Sequence, residues 1–281
     1  MVYWQTSKRK LSLEKTLVMA ILNVTPDSFS DGGKFADLDA ALKESEKLIA
    51  EGADIIDIGG ESTRPGSERV SAEVEIARVV PVIEAITARF DTPISIDTTK
   101  SIVAKAAVEA GAEIINDISG LRFDASIADV AAKYATGLIL MHSRGEFETM
   151  HAQPPVEDIM AEVAADLRRA ITAAEASGVR PESIVLDIGI GFGKTVEQNL
   201  ELIAKLDRLV IEFEQFPVLV GTSRKSFIGT LLGDAPPAAR LGGSLASIAI
   251  AVWNGAKIVR VHDVKETVES LKIVDAIGSR S

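Results

Sequence analysis

From Leu17 onward, short runs of β-branched residues alternate with longer stretches whose apolar positions recur every three or four residues. These are the periods of buried strands and amphipathic helices. The pattern predicts strands at Val18–Val24, Ile55–Ile58, Ile94–Asp97, Ile114–Asn116, Leu138–Met141, Ile184–Leu186, Val218–Val220 and Ile258–Val261. Between the first two, Leu38, Ala41, Leu42, Ser45, Leu48 and Ile49 share one helical face. Segments 72–90, 100–111, 125–135, 156–178, 196–209, 223–254 and 264–277 read in the same way. Several of them run into a glycine (Gly52, Gly111, Gly178, Gly255), the usual left-handed helix end. Strands separated by helices pair in parallel through right-handed crossovers. Eight such units in 281 residues, with no Pro/Ser/Gly-rich linker between them, predict one domain over 1–281. The expected fold is α/β, a single (β/α)8 TIM barrel with long mobile loops after strands one and two. Residues 1–10 receive no role.

In such a barrel the carboxyl ends of the strands build the active site. Here each end is polar: Asn23; Asp57 followed by GGESTRPG; Asp97; Asn116-Asp117; His142-Ser143-Arg144; Asp187; Ser223-Arg224-Lys225; Arg260 with His262-Asp263. A weak repeat (EGADIIDIGG, AGAEIINDIS, NGAKIVRVHD) carries Asp57, Asn116 and Arg260 at equivalent positions. One aspartate ending a strand is most often a helix cap or turn former. Eight polar ends converging on one rim point to a site.

The rim sorts by chemistry. Asp97, Asn116 and Asp187 leave nearly apolar strands with no cation adjacent in sequence. Buried carboxylates and amides need partners, so the expected ligand is rich in N–H donors, such as an aminopyrimidinone ring. Arg64, Arg224, Lys225 and Arg260, with His262 near them, suit phosphate oxygens, and a helix starting within Ser223–Gly229 adds free N–H groups. One site thus wants a donor-rich heterocycle at one end and a phosphate or pyrophosphate at the other.

Composition narrows this reading. A net charge of −11 argues against general nucleic-acid binding, while leaving room for an anion in a locally cationic cleft. The chain has no cysteine, which excludes disulfides and thiolate metal sites and fits a cytoplasmic location. No apolar run approaches the roughly 20 residues of a membrane span, and the N-terminus lacks the apolar core of a secretory leader. Two motifs are set aside. GIGFGKT (Gly189–Thr195) is one residue short of a phosphate-binding loop and reads better as a glycine-rich lip where a ligand approaches backbone. His142 and His151 lack metal-ligand spacing, so zinc is not expected.

NVTPDSFSDGG, DIGGESTRPG, SIDTTK, INDISG, GIGFGK, SRKSFIG and VRVHDVKE, in this order, resemble the dihydropteroate synthase family from about Leu17 to Ile277. The resemblance implies a (β/α)8 transferase of folate biosynthesis. It condenses 6-hydroxymethyl-7,8-dihydropterin pyrophosphate with p-aminobenzoate, giving 7,8-dihydropteroate and pyrophosphate. It implies pterin binding by Asp97, Asn116, Asp187 and Lys225. Pyrophosphate binding falls to Asn23, Arg64, Arg260 and His262, with Mg²⁺ on Asn23. The p-aminobenzoate side comprises Phe29, Thr63, Arg64, Pro65, Phe192 and Ser223. The catalytic set is Asp97, Asp187, Lys225, Arg260 and His262. Small-molecule substrates, sulfonamides as competitive inhibitors and a homodimer, with no nucleic-acid or membrane partner, complete the expectation.

The sequence departs from the family where Asp-Pro-Gly becomes Asp187-Ile188-Gly189, and where the segment after strand five reads Ser143 to His151. Methyltetrahydrofolate:corrinoid methyltransferases share an Asp/Asn/Asp rim but do not need both loops and the SRK and RVHD cluster. Those features favour the synthase over that rival and over an inactive pterin-binding paralogue.

Overall fold

In a computed structural model the described residues are 2–25, 33–62, 67–150 and 153–279. Eight strands close into a parallel barrel: β3 (Leu17–Asn23), β4 (Ile55–Gly59), β5 (Ile94–Asp97), β6 (Ile114–Asp117), β7 (Gly137–Met141), β8 (Ile184–Asp187), β9 (Val218–Val220) and β10 (Ile258–Val261). β10 pairs with both β9 and β3, which closes the sheet. Between barrel strands lie α1 (Gly33–Ala50), α2 (Ala72–Thr87), α3 (Ser101–Glu109), α4 (Ser126–Tyr134), α5 (Ile159–Ala176), α6 (Val196–Ala204), α7 (Leu206–Glu212), α8 (Ser226–Leu231) and α9 (Leu241–Trp253), with α10 (Val264–Gly278) after the last strand.

The alternation of strand side chains divides the core in two. Val18, Ala20, Leu22, Ile56, Ile58, Ile115, Leu138 and Leu186 join the outer layer, packed against the helices. The intervening Leu17, Met19, Ile55, Ile114, Ile139, Val185, Leu219 and Ile258 fill the lower barrel. Continuing the same parity up each strand brings Asn23, Asp57, Asp97, Asn116, Met141, Asp187 and Arg260 to the upper interior. Register fixes their neighbours: Asp97 lies opposite Asn116, Asn23 opposite Gly59, and Met141 opposite Asp187. The apolar floor and the polar rim are therefore one pattern read at two heights.

Residues 1–10, silent in sequence, close the bottom of the barrel. β1 (Tyr3–Gln5) and β2 (Lys10–Ser12) form an antiparallel hairpin. Its Trp4 is fully buried in the lower cluster and donates its indole N–H to Ser183 O at 2.8 Å. Arg9 pins the hairpin through Glu113, Nη2 to Oε1 at 2.8 Å. Other departures are local. The single helix expected over 196–209 bends at Lys205, whose φ of −109° and ψ of 20° leave the helical region. That bend turns both Leu206 and Leu209 into the core. The expected glycine ends hold, with φ of +104° at Gly52, +122° at Gly111, +92° at Gly178 and +105° at Gly255.

Candidate active site

Arg260 organises the rim. Its Nε donates to Asp57 Oδ2 at 2.6 Å and its Nη2 donates to Asp97 Oδ2 at 2.6 Å. The same Asp57 Oδ2 accepts Asn116 Nδ2 at 3.1 Å, while Asp57 Oδ1 is buried without a partner. The cation that sequence adjacency did not offer to Asp97 thus arrives from β10, and the expectation that these acids wait on a ligand alone is corrected. Asp187 accepts Gly189 N–H on Oδ1 at 2.7 Å. Lys225 Nζ stands 3.9 Å from the centre of the Phe192 ring. A Cβ at Gly59 would lie 3.8 Å from Asn23 Oδ1 and 3.9 Å from Asp97 Oδ2, so Asn23 borders the same layer.

Burial dominates the electrostatics. It raises Asp97 to about 7, with Asp57 adding to the effect and Arg260 opposing it. It also raises Asp187, against the Gly189 N–H and Lys225. Burial and the charge of Arg260 lower Lys225 to about 8. Arg260 itself is held more firmly protonated than usual: burial works against its charge, but Asp57 and Asp97 outweigh it. His262 is neutral, lowered to about 3 by burial and by Arg260. Ser223 Oγ accepts the His262 backbone N–H at 3.2 Å and lies 3.1 Å from Nδ1. A neutral His262 is not part of a cationic cluster.

Several strand-end residues leave the rim by parity. Asp117 accepts Ser119 N–H, Ser119 Oγ–H and Leu121 N–H, the role of a turn former. His142, one residue past the inward Met141, lines a polar cavity of about 520 Å³ outside the barrel, with Arg122, Arg144, Glu162 and Arg169. Burial there lowers its pKa to about 2. Arg224, at φ +60°, pairs with Asp263 at 2.5 Å. The helix beyond it, α8, is six residues long and begins at Ser226.

The glycine lip serves the protein's own groups. A Cβ at Gly189 would meet His142 O at 1.8 Å, one at Gly191 would meet Lys225 Cδ at 3.0 Å, and one at Gly193 would meet Arg144 Cβ at 2.6 Å. All three glycines have positive φ. The departures from the family pattern pack as core. Ile188 is fully buried in the outer layer, and Phe147 and Met150 join Ile118, Met141 and Phe192 in an apolar cluster beside the rim. Asp57 was counted among the polar strand ends but given no role, and Ile118, Met141, Phe147 and Met150 were not read as bordering the site; counting by twos along β7 recovers Met141. Phe29, Thr63, Arg64, Pro65 and His151 lie outside the described residues. Among the described residues no group of three or more His, Cys, Asp or Glu is arranged to hold a metal ion.

A family model described as pterin binding enzyme matches residues 19–262. A dihydropteroate synthase of Clostridium beijerinckii is 50% identical over 268 residues, covering 95% of this chain and 96% of its own. The chain belongs to the dihydropteroate synthases, a transferase family of pterin-binding enzymes. Among solved structures, the Xanthomonas albilineans dihydropteroate synthase with 4-aminobenzoic acid superposes with a TM-score of 0.92 at 43% identity, covering 99% of this chain and 98% of that one. The Yersinia pestis synthase in a sulfonamide drug complex gives 0.91 at 44% identity, covering 99% and 100%. No helix among the described residues is long and apolar enough to cross a membrane.

Proposed function

We propose that the rim carries the family reaction by separating charge along one bond. The observation that supports this is the convergence of Asp97, Asn116 and Asp187 with Arg260 and Lys225 in one layer. Asn116 and the two carboxylates match the donor edge of an aminopterin. Arg260 and the imidazole of His262 face the pyrophosphate, and Lys225 stands by Asp187 on the pterin side. The C–O bond between the pterin CH₂ and pyrophosphate breaks first, and its electron pair leaves with the pyrophosphate. Asp97 and Asp187 hold the resulting ring cation electrostatically. The neutral aryl amine of p-aminobenzoate then forms the C–N bond and releases its proton to water, with no strong general base required.

Phe192 and Ser223 border the aryl amine side in this reading, together with Phe29, Thr63, Arg64 and Pro65 of the two loops. Closure of those loops over pyrophosphate, excluding water and admitting p-aminobenzoate second, gives ordered binding. A sulfonamide, itself an aryl amine, competes at that side. Mg²⁺ fits the donor set, because this ion keeps waters and substrate phosphates and needs few protein oxygens; Asn23 Oδ1 supplies one. When bound, it supplies charge neutralisation for the leaving group. We place the enzyme in the cytoplasm, and a homodimer is supported by the exposed apolar residues Ile250, Trp253, Ile273 and Ile277 of α9 and α10.

The test is pyrophosphate release with pterin pyrophosphate, Mg²⁺ and p-aminobenzoate, each omitted in turn. Release that requires p-aminobenzoate and yields dihydropteroate is expected. Tight pterin binding without product would sink the reading. Asp97→Asn at unchanged turnover would remove the electrostatic role of Asp97.

A further inference from the structure

Lys194, the lysine of the set-aside GIGFGKT motif, has its ammonium among backbone carbonyls. Nζ donates to Gly189 O at 2.6 Å and to Phe192 O at 3.1 Å, and lies 3.5 Å from His142 O. Gly189 O also accepts the N–H of Phe192 at 3.2 Å. The segment from Gly189 to Phe192 is therefore a closed turn, and one ammonium grips both of its ends. An ammonium has three donors, and three carbonyls surround this one, so little of it is left for a phosphate. The third carbonyl belongs to the residue after β7, so the grip also ties the lip of β8 to the neighbouring strand.

What the turn carries is the second half of the argument. At its start, Gly189 N–H holds the Asp187 carboxylate. At its end, the Phe192 ring covers the Lys225 ammonium and packs on Phe147 and Met150. The turn's own backbone has little rigidity to give, since Gly189, Gly191 and Gly193 all sit at positive φ. A hydrophobic side chain at 194 would fill the space and leave the carbonyls unanswered. A lysine there both answers them and fixes where the Phe192 ring lies.

We propose that Lys194 is a positioning residue for the aryl amine substrate, acting through Phe192 by clamping the Gly189–Phe192 turn. This rests on the reading of the rim as a dihydropteroate synthase site with Phe192 on the p-aminobenzoate side. Wild-type turnover tests that reading; the variants below test the clamp against a wild type that turns over.

Lys194→Met is expected to raise the KM for p-aminobenzoate about tenfold and the KM for pterin pyrophosphate by less, about threefold, because Asp97, Asn116 and Arg260 do not depend on the turn and only Asp187 and Lys225 border it. Lys194→Arg, which keeps a cation and N–H donors, is expected to recover most of the loss. The coupling to Phe192 is read by a double-mutant cycle. In a Phe192→Leu background, Lys194→Met is expected to add less than about twofold to the KM for p-aminobenzoate. Additive effects, or equal rises in both KM values with no recovery by Lys194→Arg, would overturn the proposal and leave Lys194 as a structural filler. If K194M gives no soluble protein, K194Q carries the same cycle and the same outcomes.

Discussion

The bond network around Asp57 makes a sharp prediction for Asp57→Asn. The substitution preserves shape and removes one charge. Asp57 Oδ2 holds both Arg260 Nε and Asn116 Nδ2, so an amide oxygen must take that place. The amide nitrogen then falls at the Oδ1 position, which is buried and makes no hydrogen bond in the wild type. A buried unsatisfied donor costs about 1–3 kcal/mol, and a hydrogen bond to a charged group that loses its charge assistance costs about 1 kcal/mol more. A destabilisation of about 3 kcal/mol follows, lowering the melting temperature by roughly 6–12 °C at about 2–4 °C per kcal/mol for large domains. Function changes for a separate reason. With Asp57 neutral, the Arg260 guanidinium leans on Asp97 alone and competes there with the pterin. Asn116 loses its charged acceptor as well. About tenfold weaker pterin binding and about a hundredfold lower kcat/KM, near 2.7 kcal/mol, are expected. Pterin affinity by calorimetry, pyrophosphate release and thermal unfolding separate the two effects. Unchanged pterin affinity and release within twofold of wild type would refute the assignment of Asp57 as the anchor of this layer.

Further outcomes follow from the same geometry. The pH dependence of kcat/KM for the pterin substrate is expected to be bell-shaped: the acid limb lies near 7, where Asp97 takes up its proton, and the alkaline limb near 8, where Lys225 loses its own. Lys225→Gln should remove the alkaline limb in the residual activity. The stability contribution has a different sign pattern. Folded Asp97 binds a proton that unfolded Asp releases between 3.8 and about 7, so stability from this group falls with rising pH over that window. Folded Lys194, lowered to about 7, gives up a proton that the unfolded chain holds to 10.5, so its contribution rises above pH 7. The melting temperature of wild type should therefore rise relative to that of Lys194→Met from pH 7 to 10, and parallel curves would contradict this. Gly189→Ala places a methyl 1.8 Å from His142 O at φ +65° and is expected to abolish soluble expression or pterin binding. Trp4→Ala, emptying the base of the barrel, is expected to cost about 3–5 kcal/mol in urea unfolding with kcat/KM unchanged.

Much of this was legible along the chain because barrel strands carry two independent patterns. Their β-branched runs gave each strand, and their period of two places Asp57, Asp97, Asn116 and Asp187 inside once one inward residue is known. What local reading could not supply is pairing between distant elements. Arg260 meets Asp57 and Asp97 across 203 and 163 residues, and no spacing rule contains that contact. The same limit hid the hairpin: Trp4 finds Ser183 at a separation of 179 residues. Asp117 left the rim for another reason. It sits one position from Asn116, and composition cannot distinguish strand neighbours that parity sends to opposite faces. The lysine of GIGFGKT has the residue type of an anion ligand, and only the closed turn around it shows that its donors point to carbonyls.

The placement of Arg260 also explains how a chain with a net charge of −11 holds an anionic substrate. A guanidinium has five N–H donors, and two of them are committed here to Asp57 and Asp97. In the proposed reaction the remaining donors serve pyrophosphate oxygens, and one group then touches both of its poles. In the ground state, the pterin CH₂ is neutral and Asp97 is attracted chiefly to Arg260. As the C–O bond lengthens, negative charge builds on the leaving oxygen and positive charge builds on the ring. The first strengthens the pull of Arg260 away from Asp97, and the second strengthens the pull of the ring upon it. Both changes favour the same displacement, so the network binds the separated charges more tightly than the substrate, which is the condition for accelerating the step itself. A carboxylate held by the ring alone, or an arginine held by the phosphate alone, would stabilise substrate and transition state more nearly alike.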